Sequence, residues 1–395
     1  MSPNPRVIKE SFTHIESAAD NAIAYFYSRL FTANPQLRTL FPAAMDVHRD
    51  RFFAALTKIV WSLDSPAALA AYLGRLGRDH RKFGVTPEHF AAFGAALIAT
   101  ARKFAADEWT EHVEAAWTQA WAEVTRLMTE AATEDADGGA PPWWVGEVLD
   151  HERRTPDIAV VTVRPAQPLP YAPGQHVSVQ VSRWPRVWRQ YSVANAPRGD
   201  GTLRLHVRAL PAGWVSGALV RRTRVGDTLL LGPARGTMTL DPGSDRDLLC
   251  VAGGTGLAPM RALVEQVIAS AKRRNTRLIF GARTERDLYD LVELRRLQSA
   301  HPWLRVIPVV SAEPGYDGLN GLAPDALDRL RGPEDHDVYV AGPTEMITHT
   351  VDRLQRLGVP PGQIHHDLVD ADESRDPAHH PARSRRKRAV SSSPG

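Results

Sequence analysis

Between Ile8 and about Ala132 apolar residues return at every third or fourth position, and strand-like alternation is almost absent. Phe26, Leu30 and Phe31 set the spacing, which continues through Phe52, Phe53, Leu56 and Ile59 and then Phe90, Phe93, Leu97 and Ile98. Pro35, Pro42, Pro66 and Pro87 fall where such helices begin or end, because proline lacks the N–H that a helix interior needs. The pattern predicts an all-helical unit over residues 1–134. It stops at 135–144, where acids, glycines and two prolines gather without periodicity and read as a linker. Short alternating runs follow, IAVVTV (158–163), HVSVQV (176–181), TLRLHVRAL (202–210) and DTLLLG (227–232), separated by Pro and Gly turns. They predict a small antiparallel barrel over 145–244. From Asp247 apolar strands (LLCVA, RLIFGA, LRVIPVV, DVYVAG) alternate with amphipathic helices, which predicts a doubly wound parallel sheet over 245–370. The expected class is thus multidomain: α, then β, then α/β. No internal repeat is visible.

Composition narrows the class of protein. A chain of 395 residues is long for a single core. With 43% hydrophobic and 24% charged residues it reads as globular, and no apolar run reaches the roughly 18 residues that span a bilayer. The opening residues lack the apolar stretch of a signal peptide, so a cytoplasmic, membrane-free protein is expected. Cys250 is the single cysteine, which excludes an internal disulfide and a cysteine-held metal cluster; a metal must be held by nitrogen or oxygen, or arrive inside a cofactor. The net charge of +3 hides a basic run, RSRRKR (383–388), between Pro- and Ser-rich flanks. In form it is a nucleic-acid or anionic-surface motif, but its setting reads as a solvated, disordered tail over 371–395, and nucleic acid is not expected as a partner.

The most informative run is Arg189-Gln190-Tyr191-Ser192. A planar redox ring needs an aromatic face, a donor near its reactive nitrogen and a cation to offset phosphate charge, and Tyr191, Ser192 and Arg189 offer these. Alone, the run is equally an ordinary surface strand. Farther on, Gly213-Trp214-Val215-Ser216 opens a helix whose first N–H groups can face an anion. Strand LLCVA then runs into Gly253-Gly254-Thr255-Gly256, where glycines let a backbone approach a dinucleotide, although Pro259 stands where a full GxGxxG would place its last glycine. A last strand ends in Gly342-Pro343.

These motifs, in this order over residues 145–368, resemble the ferredoxin-NADP reductase family. The resemblance implies FAD held by Arg189, Gln190, Tyr191 and Ser192, its pyrophosphate by Gly213, Val215 and Ser216, and NADH or NADPH by Gly253, Gly254, Thr255, Gly256, Gly342 and Pro343. Two positions depart from it: Ala341 stands where the family usually has Cys, and after Asp367, in place of the family's acid, no aromatic follows at Val369.

A reductase needs an electron acceptor, and fusion supplies one at high effective concentration. His80, in YLGRLGRDHRKFGV, could bind haem iron, although a lone helical histidine is more often a surface or core residue. The runs AYFYSRLFTANPQLRTLF (24–41) and HRKFGVTPEHF (80–90) resemble the globin domain of bacterial flavohaemoglobins over about residues 5–132. That resemblance implies a haem b domain with His80 as proximal ligand, Tyr27 as distal hydroxyl, Phe41 packed on the haem, and His48 where the family commonly has Gln. Without it, Tyr27 reads equally as a core tyrosine beside Tyr25 and Phe26. The family's proximal Tyr and Glu correspond to Phe90 and Ala132, with Glu130 or Glu134 able to substitute only through a shifted helix. The implied function is electron transfer from NAD(P)H through FAD to haem, supporting conversion of nitric oxide and oxygen to nitrate by a monomer or homodimer. Rival readings are a peroxide reductase and an oxygen or nitric oxide sensor.

Overall fold

The computed structural model describes residues 4–270, 272–330 and 332–367. The basic tail and Val369 lie outside them. Six helices build the N-terminal unit: α1 (Pro5–Ser17), α2 (Ala19–Ala33), α3 (Asp46–Trp61), α4 (Pro66–His80), α5 (Pro87–Ala105) and α6 (Glu111–Asp137). Their starts follow local chemistry. Asn4 accepts from the Arg6 N–H ahead of α1, Thr86 and His89 cap α5 reciprocally, and Pro66 and Pro87 occupy first-turn positions that need no N–H donor. The last helix continues to Asp137, into the stretch read as linker, because the sequence there is acidic but holds no breaker before Gly138.

Apolar faces of α1, α2, α3, α5 and α6 enclose one core that includes Phe12, Phe26, Tyr27, Leu30 and Trp117. A second cluster seats α4 on α6 through Leu69, Leu73, Val124 and Met128. That crossing depends on Gly77, where a Cβ would lie 2.1 Å from the Met128 carbonyl oxygen. The helix that ends at His80 is therefore positioned by contact of backbones.

The first sheet comprises β1 (Trp144–Arg153), β2 (Ile158–Pro165), β3 (His176–Val181), β4 (Arg189–Ser192), β5 (Leu203–Arg208) and β6 (Thr228–Leu231). It is antiparallel, in the order β4-β3-β6-β1-β2-β5, and a bridge from Val193 to Leu205 nearly closes it into a barrel. Strand β1 starts at Trp144, one residue inside the expected linker. Helix α7 (Trp214–Arg221) packs on the barrel with Val215, Leu219 and Val220 in its core.

All strands of the second sheet are parallel, in the order β10-β9-β8-β7-β11-β12, from β7 (Asp247–Gly253), β8 (Thr276–Ala282), β9 (Leu304–Val310), β10 (Leu319–Asn320), β11 (His336–Ala341) and β12 (Ile364–His366). Helices α8 (Leu257–Ala269) and α9 (Leu291–Ala300) cover one face and α10 (Thr344–Arg356) the other, as the alternating pattern requires. Among the described residues no helix is long and apolar enough to cross a membrane.

Candidate active site

In the helical unit Tyr27 is 1% exposed and stands in an aromatic cage. Its ring centroid lies 5.8 Å from Phe41, 5.7 Å from Phe31, 5.7 Å from Phe52 and 6.0 Å from His48. Phe41 meets His48 edge-on at 5.0 Å and stacks on Phe93 at 6.0 Å. Three expected residues are thus brought together, and Phe31, Phe52 and Phe93 join them as cage members that only the fold assigns. The Tyr27 hydroxyl is buried and finds no hydrogen-bond partner among the described residues. A polar group left so loses its water without replacement, which is costly unless a ligand takes its place. Burial raises the Tyr27 pKa, against the nearby Arg49, so the hydroxyl keeps its proton.

Burial pushes the His48 imidazole down to about 4, and the field of His80 adds to this, followed by Arg51 and Arg38. Tyr27, Phe41 and His48 thus line one interior space. At the end of α4, His80 Nδ1 lies 2.7 Å from the Leu76 carbonyl oxygen, an acceptor only, so Nδ1 carries the proton and Nε2 keeps its lone pair. Burial lowers the His80 pKa, although the Leu76 carbonyl and Asp79 oppose it, which keeps the ring neutral and fit to ligate. An orphaned hydroxyl and a tautomer-fixed imidazole suit a haem group in this space.

Phe90, where the resemblance would place the family's Tyr, tilts against Trp121 at 6.2 Å, and the Trp121 indole N–H donates to the Phe90 carbonyl. Neither Glu130 nor Glu134 is turned inward to stand in for the acid that Ala132 replaces. Glu130 accepts from Arg126 on the surface and Glu134 pairs with Arg78, while the Nδ1 proton of His80 goes to a backbone carbonyl instead. Helix α6 presents Met128 and Ala131 inward and turns both acids to solvent.

In the barrel, Arg189, Gln190 and Ser192 pair in register with Val179, Ser178 and His176 of β3. Tyr191 is partly buried against the barrel core, and Arg189 donates to the Trp188 carbonyl at 2.9 Å. Around His176 gather Asp367 and a group the sequence did not mark, Arg235. The Arg235 backbone exchanges hydrogen bonds with it, and Asp367 Oδ2 lies 3.7 Å from its Nδ1. Arg235 Nη2 and the Nδ1 of His366 are both buried without a partner. Buried nitrogens without a partner fit a polar ligand in place of water. Gly213 caps α7 with no side chain, and buried Val215 and Ser216 lie in its first turn, where the Ser216 hydroxyl accepts from the Leu210 N–H.

On the second sheet Gly253, Gly254, Thr255 and Gly256 form the turn from β7 into α8. Gly254 adopts φ +54°, and a Cβ on Gly256 would lie 2.2 Å from the Ala341 carbonyl oxygen. The turn thus meets the end of β11, with Ala341, Gly342 and Pro343, at the point where successive strands leave β7 in opposite directions. Such a switch point, beside a helix start with no side-chain cap, is where a dinucleotide pyrophosphate binds.

The chain is similar to known proteins in the same three parts. Residues 24–128 match the globin family model, 147–239 the oxidoreductase FAD-binding domain and 250–352 the oxidoreductase NAD-binding domain. A flavohemoprotein of Bordetella pertussis is 29% identical over 93% of this chain and 98% of its own length. The ferredoxin–NAD(P)(+) reductase component of naphthalene 1,2-dioxygenase/salicylate 5-hydroxylase systems from a Ralstonia species is 34% identical, over 56% of this chain and 67% of its own. A crystal structure of flavohemoglobin from Malassezia yamatoensis with bound FAD and heme superposes with a TM-score of 0.75 at 19% identity, covering 92% of this chain and 97% of that one.

Proposed function

We propose that this chain, which belongs to the flavohaemoglobins, a globin unit joined to FAD- and NAD-binding reductase units, is a nitric oxide dioxygenase. Its coarser chemistry is that of an NAD(P)H-dependent oxidoreductase passing electrons through FAD to haem. The observation that carries the finer reading is the buried, unpartnered Tyr27 hydroxyl in the cage beside His48.

When bound, the nicotinamide supplies a hydride, FAD divides its electron pair, and haem supplies the iron at which oxygen and nitric oxide combine to nitrate. The chain's side chains do the rest. His80 presents Nε2 because Leu76 holds the Nδ1 proton. Tyr27 keeps its proton at Oη and donates it as a hydrogen bond to a diatomic molecule in the cage, and neutral His48 offers one further donor or acceptor. Phe31, Phe41, Phe52 and Phe93 keep water away. Arg189, Gln190, Tyr191 and Ser192 hold FAD, with Gly213, Val215 and Ser216 at its pyrophosphate, and Gly253 to Gly256 with Gly342 and Pro343 hold the nicotinamide nucleotide.

The test is to mix reduced, oxygen-equilibrated protein rapidly with nitric oxide. Nitrate should form in the amount of nitric oxide consumed, and absence of nitrate would sink the proposal. His80→Ala should form none while still reducing ferricyanide with NAD(P)H. Faster turnover with an alkyl hydroperoxide than with nitric oxide would assign the haem unit to peroxide reduction.

A further inference from the structure

The single turn Arg81–Phe83 follows directly on His80, and each of its residues reaches out of the helical unit or into its border. Arg81 donates to Asp135 at 2.5 Å and to the Ala140 carbonyl at 2.6 Å, tying the turn to the end of α6 and the connection beyond it. Lys82 donates to Asp79 at 2.8 Å and, across the boundary, to the Ser178 hydroxyl of β3 at 3.3 Å. Its ammonium also stands 5.6 Å from the ring of Trp188 and 5.4 Å from that of Phe83. The carbonyl of Phe83 accepts from Arg186 of the barrel at 3.4 Å.

Lys82 is only 7% exposed, and a lysine loses so much hydration on burial that it is rarely found there unless paired. Here its pairing joins two units. On the barrel side it touches Ser178, the register partner of Gln190, and Trp188, the neighbour of Arg189. Gly232 leaves room for this contact, since a Cβ there would lie 2.2 Å from the Ser178 hydroxyl. A short tether keeps two units at high effective concentration but does not orient them. Buried polar pairs can fix a register at little net gain in stability.

We propose that the turn Arg81–Phe83 is a docking latch that orients the haem ligand's helix on the FAD barrel, with Lys82 as its positioning residue. This rests on the reading of His80 as haem ligand and of β4 as a flavin strand. Each transfer that the latch serves oxidises the flavin by one electron and reduces one ferric iron to ferrous. The pair from one NAD(P)H is therefore spent in two transfers, and the flavin's proton goes to solvent.

Lys82→Met keeps the stem against both rings and removes the ammonium. In the full-length holoprotein we expect unchanged flavin bleaching by NADH, haem reduction slowed about tenfold, and proteolysis within residues 138–143 accelerated about tenfold, the shift in a docked population that one lost charge-assisted hydrogen bond gives. Ser178→Ala should move both rates in the same direction by less, and Lys82→Arg should restore them. Haem reduction within about twofold of wild type overturns the proposal, as does slowed reduction with unchanged proteolysis, which would place Lys82 in tuning the haem. If Lys82→Met does not fold, Ser178→Ala decides, and wild-type behaviour of that variant overturns the latch. Absence of a Soret band in the wild type would defeat the haem reading instead, while the proteolysis arm still judges the docking.

Discussion

The two ends of the electron path are built from different material. In the reductase units the proposed nicotinamide site is made of backbone: a glycine turn, an uncapped helix start and the close meeting of two strand ends at Gly256 and Ala341. In the helical unit the proposed site is made of side chains, Tyr27, Phe41, His48 and His80, that come from α2, the loop after it, α3 and α4. Such a backbone site is written as clustered glycines, which permit the positive φ of Gly254 and the close approach at Gly256. Side chains converging from separate helices leave no such local spacing.

The largest expected effect tests the backbone side. Gly256→Ala places a Cβ 2.2 Å from the Ala341 oxygen and 2.4 Å from its carbonyl carbon, and neither is a flexible side-chain end that can swing away. The end of β11 must retreat, a distortion of about 1–3 kcal/mol. Flavin bleaching by NADH should fall about 100-fold, since small misplacements in a site of this kind are amplified in rate. The Soret band should stay as in the wild type; its loss as well would show that the two ends do not behave as separable sites.

Tyr27→Phe tests the side-chain side, with a smaller effect of two signs. Removing a buried hydroxyl that has no partner relieves an unmet desolvation, so the helical unit should melt at the same temperature or gain about 1 kcal/mol. Nitrate formation should nevertheless fall about tenfold to 100-fold, the range seen when one donor to developing charge is lost. A variant both less stable and fully active would make Tyr27 a packing residue in the cluster with Phe26 and Phe52.

What could be read in the chain follows from these materials. The helical spacing, the alternating strands and the βα alternation were visible because each expresses one buried face, and the described residues form those elements. Strand β1 was not singled out, since WVGEVLDHER has charged outward positions and ends in a polar run. The latch was invisible, because Lys82 and Ser178 are 96 residues apart and no local pattern pairs them. Arg235 and His366 drew no notice either, since an unpartnered nitrogen is a property of packing and not of sequence.

The smallest effect concerns His48, whose ordinary value of 6.5 is lowered to about 4, first by burial and then by His80, Arg51 and Arg38. A histidine held neutral in the fold but free to protonate when unfolded binds fewer protons in the native state throughout that interval. Stability is therefore complete above pH 6.5 and falls as the pH is lowered towards 4, by on the order of 1–3 kcal/mol if the shift is fully expressed. His48→Gln removes the titration while keeping a polar side chain of similar reach. Its denaturation midpoint should decline less than the wild type's across that window, whereas at pH 7 the two should nearly coincide. His206, buried between barrel and second sheet against Tyr289 and also pushed well below its ordinary value, loses stability in the same direction and is untouched by the substitution. A probe confined to the helical unit, such as the Soret band, should therefore decline less steeply with acid in His48→Gln, with His80 carrying what remains, while the flavin signal keeps its full acid sensitivity. Equal slopes for the Soret signal in wild type and variant would mean that His48 titrates as an exposed residue and is no part of the cage.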